Sequence, residues 1–154
     1  MEIKSPAGKL GVLLPGMGAV ASTLIAGIEA IKLNLAKPIG SMTEMGTIRL
    51  GKRTDDRVPK IREFVPLEKI ESLVFGGWDI NQENLYEICV RSGVLEKSLL
   101  DAVKSPLESI EVWPAAFDKK FVRRLEGNHI KSATNKRELV EQVTNDIITF
   151  INEN

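Results

Sequence analysis

Hydrophobic positions along this chain come in two rhythms that alternate. Lys9-Leu10-Gly11-Val12-Leu13-Leu14-Pro15 is a short apolar run closed by Pro and Gly, the pattern of a strand buried on both faces. Val20, Leu24, Ile28, Ile31 and Leu35 then recur at spacings of three and four, with Ala21, Ile25 and Ala26 widening the stripe. That spacing predicts a helix packed along the stripe, and Pro38 keeps it from running further. A short strand is expected at Thr47-Ile48-Arg49-Leu50, and a helical turn at Pro66-Leu67-Glu68-Lys69-Ile70. Ser72-Leu73-Val74-Phe75 reads as a second buried strand, ended by Gly76-Gly77.

The second half repeats the alternation. Asp79 or Asn81 is placed to cap a helix whose apolar face holds Leu85, Ile88 and Cys89. Val94 to Val103 reads as helix after Gly93, and Ile110-Glu111-Val112-Trp113 as a third strand before Pro114. Asp118 is placed to cap a turn holding Phe121, Val122 and Leu125. In the last helix Asn135 and Glu138 have capping-box spacing, and Leu139, Val140, Val143, Ile147, Phe150 and Ile151 share a face. Strands alternating with helices predict an α/β fold with a largely parallel sheet.

Composition narrows the class. The 154 residues suit one domain, with 43% hydrophobic and 27% charged residues, which is globular. No run approaches the roughly 20 apolar residues that cross a bilayer, so no membrane partner is expected. Met1-Glu2-Ile3-Lys4-Ser5-Pro6 lacks the pattern of a secretion signal, and Cys89 is the lone cysteine, so a reducing, cytoplasmic setting is expected. The net charge is zero, but residues 1–77 carry 11 basic and 8 acidic side chains and residues 78–154 carry 10 and 13. Much of the basic excess is Arg49, Lys52, Arg53, Arg57, Lys60 and Arg62, around Gly51, Asp55, Asp56 and Pro59. A solvated surface excursion is the first reading of that loop, and a loop approaching a phosphorylated ligand the second. Nucleic acid is not expected as a partner: no aromatic residue between Arg49 and Arg62 could stack on bases.

One segment carries chemistry. Gly16-Met17-Gly18-Ala19-Val20-Ala21 fits G-x-G-x-x-A after an expected strand and at the opening of an expected helix. The first Gly permits a tight turn, the second lets backbone approach a pyrophosphate, and a small third residue lets helix and strand pack closely. The helix N-terminus presents unpaired N–H groups and partial positive charge to phosphate. The bland alternative is a tight, empty strand–helix turn. The acidic residue usual some twenty positions later, which accepts ribose hydroxyls, is missing around Ala36 to Ile39, and Glu44 is poorly spaced. Asp79, at the end of the next buried strand, is the better candidate; its alternative role is the helix cap.

Other features carry less. Gly46 and Gly51-Lys52 have P-loop spacing, but Arg53 stands where Ser or Thr should hold magnesium and no helix pattern follows. Cys89 reads as a core thiol, His129 as a surface or hydrogen-bonding side chain, and Trp78 and Trp113 as packing residues. No metal-ligand spacing or serine elbow occurs, so no metal is expected.

The glycine turn, Pro38-Ile39-Gly40-Ser41-Met42-Thr43 with Thr47-Ile48-Arg49-Leu50-Gly51, and Phe75-Gly76-Gly77-Trp78-Asp79-Ile80 occur in one order. Together they resemble the N-terminal, cofactor-binding part of the myo-inositol-1-phosphate synthase family, also called inositol-3-phosphate synthases. The likeness continues through Val94-Leu95, Trp113-Pro114-Ala115-Ala116-Phe117 and the final helix, nearly the whole chain. Gly-Trp-Asp-Ile at a strand end is its most specific part.

The resemblance implies a Rossmann-like, incomplete NAD-binding domain over residues 1–154. It also implies an NAD-using isomerase that converts glucose 6-phosphate to myo-inositol phosphate by an internally redox-neutral cyclisation, in inositol and phospholipid biosynthesis. Carried over by position, Gly16, Gly18, Ala19, Val20 and Ala21 would cradle the pyrophosphate. Asp79 would hold the adenosine ribose, Ile80 would line the pocket, and Ala115 and Ala116 would lie near the adenine. The turn is one residue shorter than the family's Gly-x-Gly-Gly form, and Ala19 replaces a glycine. The family's catalytic lysines and sugar-phosphate pocket belong to a later domain, so no catalytic residue is assigned and the chain alone is expected to be inactive. A homo-oligomer, or a separate catalytic chain as partner, would follow. The alternatives are a stand-alone, non-catalytic dinucleotide-binding or assembly module derived from that family, and an NAD-dependent dehydrogenase of another kind.

Overall fold

The computed structural model describes residues 8–118 and 120–154; the Met1–Pro6 segment, where no secretion signal is expected, lies outside them. In chain order the elements are β1 (Leu10–Pro15), α1 (Ala19–Lys32), α2 (Met42–Met45), α3 (Ile61–Phe64), β2 (Leu73–Asp79), α4 (Leu85–Ser92), α5 (Lys97–Ala102), α6 (Lys104–Ser109), β3 (Val112–Pro114) and α7 (Lys136–Glu153). Short 3-10 turns at Arg53–Asp55 and Ile70–Ser72 flank α3. The three strands form one open sheet, ordered β1-β2-β3 and parallel throughout, as the alternating pattern predicts.

Register explains the layers. Val12 pairs with Phe75 and Leu14 with Gly77, and this sheet face meets the buried core of Met17, Ile25, Ala26, Leu85, Ile88 and Cys89. Gly11 and Gly76 point to the other face, where the Phe150 ring of α7 lies against both. Trp113 meets Phe150 edge-on at 6.1 Å between ring centroids. Side chains alternate along a strand, so one sheet serves two packing layers.

Several local expectations shift. The core face of α1 is Ser22, Ile25, Ala26, Glu29 and Ala30, whereas Val20 is 87% exposed and Leu24 and Leu35 are also exposed. Nearly every side of this helix is apolar, so periodicity alone could select the wrong stripe. Glu29 tolerates its burial by pairing with Lys32 at 2.7 Å, and Lys32 also donates to the Leu73 carbonyl. Thr47–Leu50 is not a strand: one antiparallel bridge, Thr47 to Lys60, and backbone bonds from Ile48 to Pro59 and Leu50 to Arg57 make a hairpin. The helical turn expected at Pro66–Ile70 is displaced to Ile70–Ser72. Gly76 and Gly77 lie inside β2 rather than ending it.

The caps differ as well. Neither Asp79 nor Asn81 caps α4; Asn84 does, its side chain accepting from Glu87 N–H while the Glu87 carboxylate accepts from Asn84 N–H. The helix expected over Val94–Val103 starts only at Lys97, and α6 follows it. Asp118 does close a turn, accepting from Lys120 N–H at 2.9 Å, but Phe121 and Leu125 are exposed. Asn135 caps α7 as expected, whereas Glu138 completes no box: its carboxylate takes the N–H and hydroxyl of Thr134. Of the expected α7 face only Phe150 is buried; Val140 and Ile151 are exposed.

Candidate functional site

The link between β1 and α1 is built on one glycine conformation and one side-chain bond. Gly16 has φ +102°, a left-handed value natural to glycine, and its N–H donates to the Trp78 carbonyl at 2.8 Å. Met17 is fully buried, and its N–H donates to Asp79 Oδ2 at 3.0 Å. The turn is thus pinned from the end of β2. Gly77 allows the close approach: a Cβ there would meet the Leu14 carbonyl at 2.2 Å and the Met17 sulfur at 2.8 Å.

Gly18 occupies the N-cap of α1 with extended backbone and no side-chain cap, and the first turn holds no acidic residue. Open space surrounds the Cβ positions of Gly16 and Gly18. A fourteen-residue helix therefore directs an uncapped positive end past two bare glycines. That arrangement fits a phosphate diester and disfavours an empty, self-satisfied turn.

Asp79 is half-buried and holds its neighbours in both directions: Oδ1 accepts Asn81 N–H at 2.9 Å while Oδ2 holds Met17. Oδ2 keeps a further lone pair, whereas Oδ1 also accepts the Asn81 side-chain amide at 3.3 Å. Asp79 ends the strand adjacent to β1, the topological place where a ribose acid usually sits, with the excursion over residues 33–72 between it and the glycine turn in sequence.

A cleft of about 520 Å³ opens at the carboxyl ends of the strands, and Gly16, Trp78, Asp79, Ile80, Ala115 and Ala116 all border it. Gly18, Ala19, Val20 and Ala21 do not; they form the α1 N-terminus alongside. Ala115 is fixed by residues that sequence reasoning did not connect to the site. Its N–H donates to the His129 carbonyl at 3.0 Å, its carbonyl accepts from Lys131 N–H at 2.9 Å, and His129 N–H donates to the Ile80 carbonyl at 2.8 Å. The 128–131 segment thus ties together the ends of β2 and β3, with one isolated parallel bridge from Ala115 to Ile130. The bond from Met17 N–H to Asp79 and the backbone ties of this segment were not legible in the sequence, where Met17 is an unspecified position of the glycine motif.

The remaining candidates lie elsewhere. Cys89 is buried in the core, where desolvation pushes its thiol above the ordinary value despite a hydrogen bond to Ser22. His129 is half-buried with Nε2 3.1 Å from the Val112 carbonyl. Arg49, Lys52, Arg53 and Arg57 are exposed, while Arg62 pairs with Glu44, which holds the guanidinium pKa up. Among the described residues no three His, Cys, Asp or Glu side chains group as metal ligands, and no helix is long and apolar enough to cross a membrane.

Comparison with known proteins agrees with this geometry. Residues 10–154 match the family model described as myo-inositol-1-phosphate synthase, an NAD-binding domain. An inositol-3-phosphate synthase 1 of Bacteroides thetaiotaomicron is 45% identical over 150 residues, 97% of this chain and 34% of the relative. A probable inositol 3-phosphate synthase isozyme 3 of Arabidopsis thaliana is 34% identical over 95% of this chain and 31% of its own length. The crystal structure of inositol-3-phosphate synthase from Caenorhabditis elegans superposes with a TM-score of 0.80 at 24% identity, covering 96% of this chain and 32% of that one, which shows the Rossmann-like fold. The chain spans about a third of the length of the curated relatives it matches. With the glycine turn, the strand-end aspartate and nearly the whole chain inside the match, this chain belongs to the myo-inositol-1-phosphate synthase family.

Proposed function

We propose that residues 1–154 form the NAD-binding portion of an inositol-3-phosphate synthase, which converts glucose 6-phosphate to myo-inositol phosphate. The observation that carries this reading is the glycine turn, pinned by the bond from Met17 N–H to Asp79 and opening onto an uncapped helix N-terminus beside a cleft. The backbone N–H groups of Gly18, Ala19, Val20 and Ala21 are placed to donate to the pyrophosphate. Asp79 uses the spare lone pair of Oδ2 on an adenosine ribose hydroxyl, and Ile80, Ala115 and Ala116 give the base an apolar bed. Bound NAD supplies the reversible hydride acceptance that a redox-neutral cyclisation needs.

Among the described residues that line the cleft there is no lysine or arginine, which suits a cofactor-binding role with the sugar-phosphate chemistry supplied from elsewhere. The working assembly then needs further sequence, within a homo-oligomer or from a catalytic partner, in the cytoplasm. Calorimetric titration of the purified chain with NAD tests the reading, paired with an assay for inositol phosphate from glucose 6-phosphate. Saturable one-to-one binding without turnover is expected. No heat at millimolar NAD would overturn the cofactor site, and turnover by the chain alone would overturn the placement of the chemistry.

A further inference from the structure

One carboxylate oxygen under the cleft holds two donors. Asp146 Oδ2, on α7, accepts the Trp78 Nε1–H at 2.6 Å and the Lys131 ammonium at 2.7 Å. The Lys131 and Asp146 side chains are only 8% and 14% exposed. Charges so far from water persist only with close partners, and losing either one strands the other. The three residues tie three pieces of the cleft together. Trp78 walls it at the end of β2; Lys131 donates its backbone N–H to Ala115, which also borders it; and α7 contributes Val143 to the lining. The Trp78 ring also lies 5.7 Å from Trp113, tilted by 44°. Turning the indole about its Cβ–Cγ bond would carry Nε1 away from Asp146, so the ring has one orientation fixed by an acceptor that is itself fixed by a cation.

We infer that Lys131, Asp146 and Trp78 form a positioning device that holds the indole as the wall on which the adenine base seats, and so favours ligands that carry adenosine. This rests on the NAD reading of the cleft. A purine offers a flat face that suits Trp78 with Ile80, Ala115 and Ala116, and Asp79, which holds the adenosine ribose in that reading, sets the adenosine half of NAD beside the wall. Alternate side chains leave β2 on opposite sides, so Asp79 faces the glycine turn and Trp78 faces α7. One ligand lying across the strand ends meets both.

The test titrates the full chain with NAD, AMP and nicotinamide mononucleotide, well below its melting transition, reading affinity by calorimetry and the tryptophan emission. Asp146→Leu with Lys131→Met replaces the ion pair by an apolar pair and frees the indole. Trp78→Phe keeps the ion pair and removes the wall. The unaltered chain should bind NAD and AMP with quenched emission. The double variant, folded by circular dichroism, should lose about tenfold in affinity for NAD and AMP while its affinity for nicotinamide mononucleotide stays unchanged. Trp78→Phe should lose the quench together with about tenfold in AMP affinity. Should the double variant not fold, Trp78→Phe alone decides. Wild-type AMP affinity in Trp78→Phe, or an equal loss for all three ligands in any folded variant, would overturn the inference. An unaltered chain that binds neither NAD nor AMP would overturn the cofactor reading itself.

Discussion

Asp79 lies where one carboxylate can brace the glycine turn and still face the cleft, with Oδ2 on Met17 N–H and Oδ1 on Asn81. Asp79→Ala should weaken NAD binding by roughly 1–3 kcal/mol, from the lost ribose bond and the loosened turn. It should leave α4 intact, because Asn84 caps that helix. Calorimetry with amide hydrogen exchange separates the two roles, and unchanged affinity with a frayed α4 would revive the capping role. Gly77→Ala tests the packing that brings the turn close. Its Cβ would lie 2.2 Å from the Leu14 carbonyl, so β1 and β2 must part, lowering stability in urea by about 1–3 kcal/mol. At this scale the sequence showed Gly16, Gly18 and Asp79 through spacing and strand ends. It concealed Gly77, because a glycine pair reads as a strand stop until its neighbours across the sheet are known.

The helices show where periodicity suffices and where it does not. Leu85, Ile88 and Cys89 form the buried face of α4 as their spacing predicts, because the opposite face is polar. In α1 apolar residues surround the axis, and the sheet, not the pattern, selects Ile25, Ala26 and Ala30. The start of α7 carries a pH dependence. The backbone N–H and hydroxyl of Thr134 hold the Glu138 carboxyl below its ordinary range. A folded-state value below the unfolded one stabilises at neutral pH, and that contribution is lost as pH falls through the folded value. Helix content in α7, followed by amide resonances, should therefore fray first at its N-terminus on acidification. Glu138→Gln should be frayed there already at neutral pH, with little further change in acid; matching profiles for the two proteins would contradict this.

At the scale of the molecule the sheet stops at β1, whose outer edge carries no partner strand among the described residues. Val20 and Leu24 on α1, and Val140, Ile148 and Ile151 on α7, are exposed on the two layers beside it. An open parallel edge flanked by apolar side chains tends to pair. The purified chain should therefore self-associate with rising concentration in light scattering, and Ile148→Lys should reduce it; a monomer at every concentration would contradict the expectation. The α/β class and the parallel sheet were legible because parallel strands are continuous apolar runs. The 33–72 excursion was not, since its short elements bury no residue and so leave no periodic trace.

Backbone amide spectra of the chain titrated with NAD ask whether the cofactor lies on the glycine turn at the strand ends. The largest shifts should fall on Gly16, Gly18, Ala19, Val20 and Ala21, with Ile80 and the Trp78 indole N–H moving in the same titration. Shifts confined to the basic hairpin around Arg49–Arg57, or none at saturating NAD, would contradict the assignment.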